Sequence, residues 1–412
     1  MSGGGAALVL FLCSSLVAAY FNEPRVAGVV AWLSLTCLFN AVAAPGNNLL
    51  RRKLDFRTIN IIQIVSYVLG YLVVGVTLAY LGAGVWALVC AWLAQSGSAM
   101  VLTFLRSPHS LKLLFWYDGA RRSTAVGTTV FFTNLCNWLL NNIDRLFLGR
   151  FLDAHAVGVY TVGYNLANTP NSLFLTALQP AFLAAGARLQ DDRRRLREAY
   201  LSIQATTWIV IGPAFVLLAV VAPDLIKVLY GSRWDASATV LTILALAMPA
   251  YVSWGLSTPV LWNTGGKNLE SLLQLPVIVL AGVALWLYAA QGAASVALIA
   301  SGTLLVRALL IGGCACIRLA VGWAEVFGIA WRAIAVIALT LAGAFAGAGF
   351  VAGYGPLAGF ISASACGVAL PAVAVLACPP LLGARVVTML GRFTPPVPAR
   401  LGVYLRSKCK IG

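Results

Sequence analysis

Twelve runs of about 20 mainly apolar residues, separated by short connections, constrain this chain more than anything else in it. They lie near 4–20, 26–44, 58–80, 84–105, 123–148, 156–184, 200–222, 236–263, 268–289, 293–317, 329–351 and 356–378. At about 1.5 Å per residue, such a run spans the ~30 Å hydrocarbon core of a bilayer. Lipid offers no hydrogen bonds, so a spanning segment must satisfy its own backbone, and these runs therefore read as helices. The expected fold is an all-α polytopic membrane protein with about 12 transmembrane helices. Only 10% of the residues are charged, against roughly 25% in a soluble domain, which removes a soluble alternative.

The charge balance has a topological reading. The net charge is +16, which in a soluble chain would point to nucleic acid. Here 22 of the 28 Lys and Arg fall in one set of alternate connections and the C-terminal tail. The other set holds Arg25, Arg145, Arg150, Lys227 and Arg233, and Arg307 lies inside a span. The positive-inside rule then puts the first set in the cytoplasm, together with both termini. No nucleic-acid partner is expected. The nine cysteines are scattered and form no C-x-x-C, so they read as small core residues. His109 and His155 are isolated in connections, and no metal site or cofactor is expected. There is no G-x-S-x-G, P-loop or H-E-x-x-H, and no long loop to house catalysis, so an enzyme is not expected. The start Met1-Ser-Gly-Gly-Gly lacks the basic region of a secretory signal.

An internal repeat organises the order of the helices. Gly82-Ala-Gly-Val-Trp-Ala-Leu-Val89 resembles Gly292-Ala-Ala-Ser-Val-Ala-Leu-Ile299 at an offset of 210 residues. The same offset lays the Arg51–Arg57 loop on Leu261–Lys267. Spans one to four then read as copies of spans seven to ten, while spans five and six lack partners ahead of Met1. The expected domains are an incomplete N-terminal lobe of four helices over 1–110 and a six-helix C-terminal lobe over 111–320. Two extra helices follow over 321–380, with a basic cytoplasmic tail over 381–412.

Candidate site residues follow from polar positions inside spans. Asn134, Asn137, Asn141 and Asp144 keep one helix face, as do Thr161, Asn165, Asn168, Ser172, Thr176 and Gln179. Such stripes face other protein or a water-filled cavity, and they serve as interhelical glue, as cavity lining, or as both. Asp144 reads as the one carboxylate in or at the edge of a span. It is a candidate for ion coupling or for pairing with an arginine, unless it sits as a solvated helix end. Its neighbour Arg145 is placed to reach a phosphate. Pro170, between Asn168 and Asn171, is expected to kink its helix. Arg307 sits about 14 residues, or roughly 21 Å, into its span. It either snorkels to the cytoplasmic face or lines a cavity, where its planar fork suits phosphate. The run Asp191–Arg197 and the run Leu50–Arg57 read as topology anchors against anionic lipid.

Several of these stretches together resemble a known family. Asn141-Asn-Ile-Asp144, Gly149, Gly158-Val-Tyr160, Tyr164-Asn-Leu-Ala-Asn168, Pro170, Pro180 and Arg188-Leu-Gln-Asp-Asp192 follow the pattern of bacterial polysaccharide-export flippases. These form the Wzx/WzxC-like branch of the multidrug/oligosaccharidyl-lipid/polysaccharide (MOP) exporter superfamily. Leu49–Arg57, Gly84–Val89 and Leu229-Tyr-Gly-Ser-Arg-Trp234 fit the same branch. The resemblance implies a MATE/MOP-like two-lobe bundle around a cationic cavity, here with its first two helices missing. It implies alternating-access movement of an undecaprenyl-pyrophosphate-linked oligosaccharide across the bacterial inner membrane, for exopolysaccharide or lipopolysaccharide synthesis. The implied partners are the lipid-linked oligosaccharide, the bilayer, and polysaccharide polymerase or export machinery. Arg307 and Arg145 would hold phosphate, and Asn134, Asn137, Asn141, Asn165 and Asn168 would bind sugar hydroxyls. The alternatives are a cation-coupled multidrug exporter of the same superfamily, a membrane glycosyl polymerase or ligase, and a non-transporting truncated remnant.

Overall fold

The computed structural model describes residues 2–53, 55–108, 120–188, 192–351 and 353–393. Expectations that rest on His109, Lys112, Asp191 and the basic residues from Arg400 onward lie outside them. Among the described residues the structure is helical throughout, with no strand. By internal contacts the chain divides into two units, Met1–Arg121 and Arg122–Gly412.

The first unit holds α1 (Ser2–Leu12), α2 (Ser14–Phe21), α3 (Arg25–Leu33), α4 (Leu35–Arg52), α5 (Phe56–Tyr67), α6 (Val76–Tyr80) and α7 (Val85–Arg106). A π-helical stretch, Val68–Gly75, joins α5 to α6. Asp55 starts α5 as its N-cap, accepting from the Thr58 amide at 3.1 Å and from its hydroxyl at 2.7 Å. Those two bonds, the hydroxyl's first, hold the Asp55 carboxyl below the usual carboxylate range. α7 packs against α4 and the π-helical stretch. A small core of Leu50, Ile59 and Ile62 closes the end nearest the Arg51–Arg57 connection.

The second unit holds α8 (Ala120–Phe151), α9 (Ala154–Arg188), α10 (Arg193–Thr206), α11 (Gly212–Tyr230), α12 (Ala236–Asn263), α13 (Lys267–Tyr288), α14 (Ala293–Arg318), α15 (Trp323–Phe350), α16 (Pro356–Ala377) and α17 (Gly383–Phe393). Its centre is α12, which is apolar around most of its circumference and buried along most of its length, as such a helix must be. It packs against α9, α11 and α14. Gly163 lets α9 come close, because a Cβ there would lie 2.9 Å from Val240 and 3.0 Å from the α12 backbone. The α15–α16 pair approaches more closely still: a Cβ on Gly343 or Gly347 would sit 2.3 or 2.4 Å from a carbonyl oxygen of α16. Small residues at such crossings let membrane helices gain dispersion contact where lipid gives no hydrophobic drive.

Nine helical segments among the described residues are long and apolar enough to cross a membrane. The count is ten if α1 and α2, bent by 52° around Cys13, form one span. The two other expected spans coincide with α8 and α9, of 32 and 35 residues. Both are long enough, but their Asn, Asp and Arg residues dilute the apolar run. The chain is an all-α polytopic membrane protein. α9 continues through Pro170 without leaving the helix, and the Asn171 amide donates to Asn168 at 3.0 Å.

The C-terminal region differs from expectation. Residues 383–393, expected to begin a basic tail, form α17 and dock on α10. Val386 is fully buried in a cluster with Leu201, Ala205, Ile329 and Ala333. Glu325 at the start of α15 accepts from both Arg197 of α10 and Arg385 of α17, so one carboxylate ties three helices. The apolar stripe of α17 is interrupted in sequence by Arg385, which gives the segment the look of a solvated tail.

The 210-residue offset also relates helix ends. Shifted by it, the stretch α1–α2 falls on α11, α3–α4 on α12, α5–α6 on α13 and α7 on α14, with ends agreeing within about two residues. Gly82 and Gly292, matched by the same shift, both take positive φ, of 79° and 122°. Glycine reaches that region without the cost other residues meet, so both turns are made by the same device.

Candidate functional site

The site is a buried polar network inside the second unit. Four helices supply it: α8 gives Asn137 and Asn141, α12 gives Tyr251, Trp254, Thr258 and Trp262, α13 gives Glu270 and Gln274, and α14 gives Arg307. The spacings explain the assembly. Asn137 and Asn141 stand four residues apart, as do Glu270 and Gln274, so each pair projects from one helix face.

Arg307 lies at the centre and is 1% exposed. Its Nη1 donates to Asn141 Oδ1 at 2.8 Å and its Nη2 to Asn137 Oδ1 at 3.0 Å. The guanidinium carbon sits 3.8 Å from the centroid of the Trp254 ring, the stacked geometry that desolvated arginine favours. Its Nε is buried without a hydrogen-bond partner. The side chain therefore does not snorkel. It is held inside the bundle by neutral amides and an indole face.

A carboxylate lies one amide away. Glu270 is 0% exposed. It accepts from Trp262 Nε1 at 2.7 Å, Asn137 Nδ2 at 3.2 Å, Thr258 Oγ1 at 3.3 Å and Gln274 Nε2 at 3.3 Å. Gln274 Nε2 also reaches Asn137 Oδ1 at 2.9 Å. This corrects the expectation that Asp144 is the one carboxylate within a span. Glu270 follows Lys267 and Asn268, which give it the look of part of a polar connection. Its signal in the sequence is Gln274 one turn on: two polar residues on one face of an apolar helix. Glu270 thus joins Asp144 as a second buried carboxylate within the second unit.

Asp144 and Arg145 extend the network along α8. Asp144 is 4% exposed and takes a short hydrogen bond from the Tyr160 hydroxyl of α9, while its Oδ1 has no partner. It is thus no solvated helix end. The Arg145 guanidinium lies 4.1 Å from the Tyr164 ring centroid. Tyr164 in turn stacks on Tyr160, with ring centroids 6.2 Å apart, so Asp144 and Arg145 meet a shared pair of tyrosines.

The structure thus brings Asn137, Asn141, Asp144, Arg145 and Arg307 together. It does not bring in Asn134 and Asn165, which are exposed, or Asn168, which bonds Asn171 on its own helix. Farther along α9, Thr161, Ser172 and Thr176 bond carbonyls of their own helix, and Gln179 bonds the Gly255 carbonyl of α12 at 3.0 Å. At the 210-residue offset, the positions matching Trp254, Glu270, Gln274 and Arg307 are Ala44, Asn60, Ile64 and Gly97. At those positions the first unit carries no counterpart of Arg307 and Glu270.

This helical bundle, with a buried arginine and carboxylate among its spans, defines a polytopic membrane protein. Lipid II flippase MurJ, in its inward closed conformation, matches it with a TM-score of 0.68 at 11% identity, covering 90% of this chain and 81% of that one. A family model described as polysaccharide biosynthesis protein matches residues 1–239, and the chain belongs to that family. Lipopolysaccharide biosynthesis protein WzxC of Escherichia coli K12 is 26% identical over 58% of this chain and 49% of its own. Teichuronic acid biosynthesis protein TuaB of Bacillus subtilis is 23% identical over 69% of this chain and 59% of its own. Succinoglycan biosynthesis transport protein ExoT of Rhizobium meliloti is 26% identical over 58% and 49%. The chain spans about half the length of the curated relatives it matches.

Proposed function

We propose that this protein moves an undecaprenyl-pyrophosphate-linked oligosaccharide across the bacterial inner membrane for exopolysaccharide or lipopolysaccharide synthesis, by alternating access and without catalysing bond chemistry. The observation that carries this reading is Arg307, a permanent cation buried mid-span and held only by neutral groups. An intramembrane charge is costly and usually marks a pathway. Family membership and the names of the relatives support polysaccharide as the cargo. In this reading 1–110 and 111–320 act as lobes, 321–380 adds a helix pair, and both termini lie in the cytoplasm by the Lys/Arg bias. Arg307 and Arg145 hold phosphate, Asn141 meets sugar or phosphate oxygens, and polymerase or export machinery receives the product.

In cells that depend on this protein for polymer export, Arg307→Ala is expected to abolish surface polymer while the protein still accumulates in the membrane. Export at the wild-type level would remove Arg307 from the mechanism. One observation favours a second reading, cation-coupled export of drugs: Glu270 is a fully buried carboxylate. Resistance to cationic drugs conferred by this protein, and lost in Glu270→Gln, would select that reading.

A further inference from the structure

The way Arg307 is held has a chemical consequence that deepens the reading above and rests on it. A guanidinium binds an oxyanion best through the Nε–Nη2 edge, where two parallel N–H groups meet two oxygens. On Arg307 that edge is half empty. Nε is buried with no partner, and Nη2 gives its hydrogen bond to one neutral acceptor, Asn137 Oδ1, at 3.0 Å. The opposite side is fixed by Asn141 on Nη1 and by Trp254 beneath the plane. The charge that would otherwise claim the edge, Glu270, is occupied by four donors of its own. One of these is Asn137 Nδ2, so Glu270 also sets the direction of the amide, nitrogen towards itself and oxygen towards Arg307.

We infer that the Nε–Nη2 edge of Arg307 is an anion-exchange site for a phosphate or diphosphate group, closed in this state by the Asn137 amide. Asn137 is a competing internal ligand and Glu270 is the positioning residue that aims it. The exchange is favourable because an oxyanion meets the guanidinium edge bidentately and as an ionised acceptor, whereas the amide oxygen is a single neutral acceptor. The incoming oxyanion replaces one bond to a neutral acceptor with two bonds to a charged one and breaks no ion pair. A direct Arg307–Glu270 pair would have made the same exchange far costlier. α8, which carries Asn137, is then the helix whose movement opens the site.

The test is equilibrium binding of radiolabelled farnesyl diphosphate to the purified full chain in nanodiscs of zwitterionic lipid. Farnesol, inorganic pyrophosphate and phosphatidylglycerol serve as competitors. Removing the internal competitor should tighten binding: Asn137→Ala is expected to gain roughly tenfold or more, the worth of one hydrogen bond from a charged donor. Arg307→Lys, which keeps the charge but loses the fork, is expected to lose roughly tenfold or more. Asn137→Ser, too short to reach Nη2, should gain like alanine, and it serves if the alanine variant does not fold. Weaker or unchanged binding in a folded Asn137 variant overturns the inference, and so does wild-type binding in Arg307→Lys. Competition by pyrophosphate equal to that by the prenyl diphosphate assigns a soluble phosphate ligand. Stronger competition by the prenyl form assigns the lipid-linked one, and both keep the site. Competition by farnesol equal to that by the diphosphate overturns it, and so does equal competition by phosphatidylglycerol. Because no transport is measured, binding that behaves as stated while lipid-linked oligosaccharide fails to cross vesicles would defeat the flippase reading and leave this site standing.

Discussion

Replacing Glu270 with alanine is expected to destabilise the second unit by about 3–5 kcal/mol, the cost of removing one member of a buried charged network. The carboxylate satisfies donors from Asn137, Thr258, Trp262 and Gln274. Each donor left without an acceptor in a dry interior costs roughly 1–3 kcal/mol, and the losses overlap because the donors share one site. The same change leaves the Arg307 cation without the carboxylate that shares its Asn137 amide. Glu270→Gln keeps the volume and one acceptor, so it should cost about half as much. Replacing Glu270 and Arg307 together with methionine should recover part of the loss, since well-packed apolar residues often replace a buried charged pair at little cost. Thermal unfolding of the purified protein in detergent measures all three. An unfolding temperature for Glu270→Ala within about a degree of wild type would show that the carboxylate is not part of what holds these helices together.

The second large effect is expected at Gly347. A Cβ there would lie 2.4 Å from the Ser362 carbonyl oxygen and 2.9 Å from the Cys366 Cβ, both on α16. The Ser362 hydroxyl meanwhile donates to the Gly347 carbonyl at 2.5 Å, so the two backbones are held at that separation from both sides. No side-chain rotation relieves a clash with backbone. Gly347→Leu must push α15 and α16 apart, at about 3 kcal/mol, the upper part of the usual range for overpacking. Hydrogen exchange should then speed up along both helices while the first unit keeps its wild-type protection. Unchanged exchange in α15 and α16 would mean that the contact is looser than its geometry states.

Much of the architecture is legible in the order of the residues alone. Backbone satisfaction in lipid leaves a 20-residue apolar run little choice but helix, so type, order and approximate ends follow from hydropathy. Arg307 is legible as well, because depth within a span can be counted. The site is harder. A stripe of Asn residues shows which face of a helix is polar but not how far along that face the contacts extend. Asn137 and Asn141 therefore belong to the network, while Asn134, on the same face of α8, is exposed. Glu270 escapes a sequence reading for a local reason: it stands at the very start of its apolar run, just after Lys267 and Asn268, and so looks like part of the polar connection although the fold buries it. α17 escapes it because Arg385, which pairs with Glu325, looks from sequence like an arginine facing water.

The matched segments of the chain also differ in one respect. Helices that agree in their ends and in their turn glycines carry a cation and a carboxylate in one segment, and the neutral Ala44, Asn60, Ile64 and Gly97 in the other. The two segments share a backbone plan and differ in charge at the matched positions. The twofold plan of the helices and the onefold plan of the charges are therefore separable. Charge can therefore be changed at a few positions of one segment while the turns and helix lengths that both segments share stay as they are.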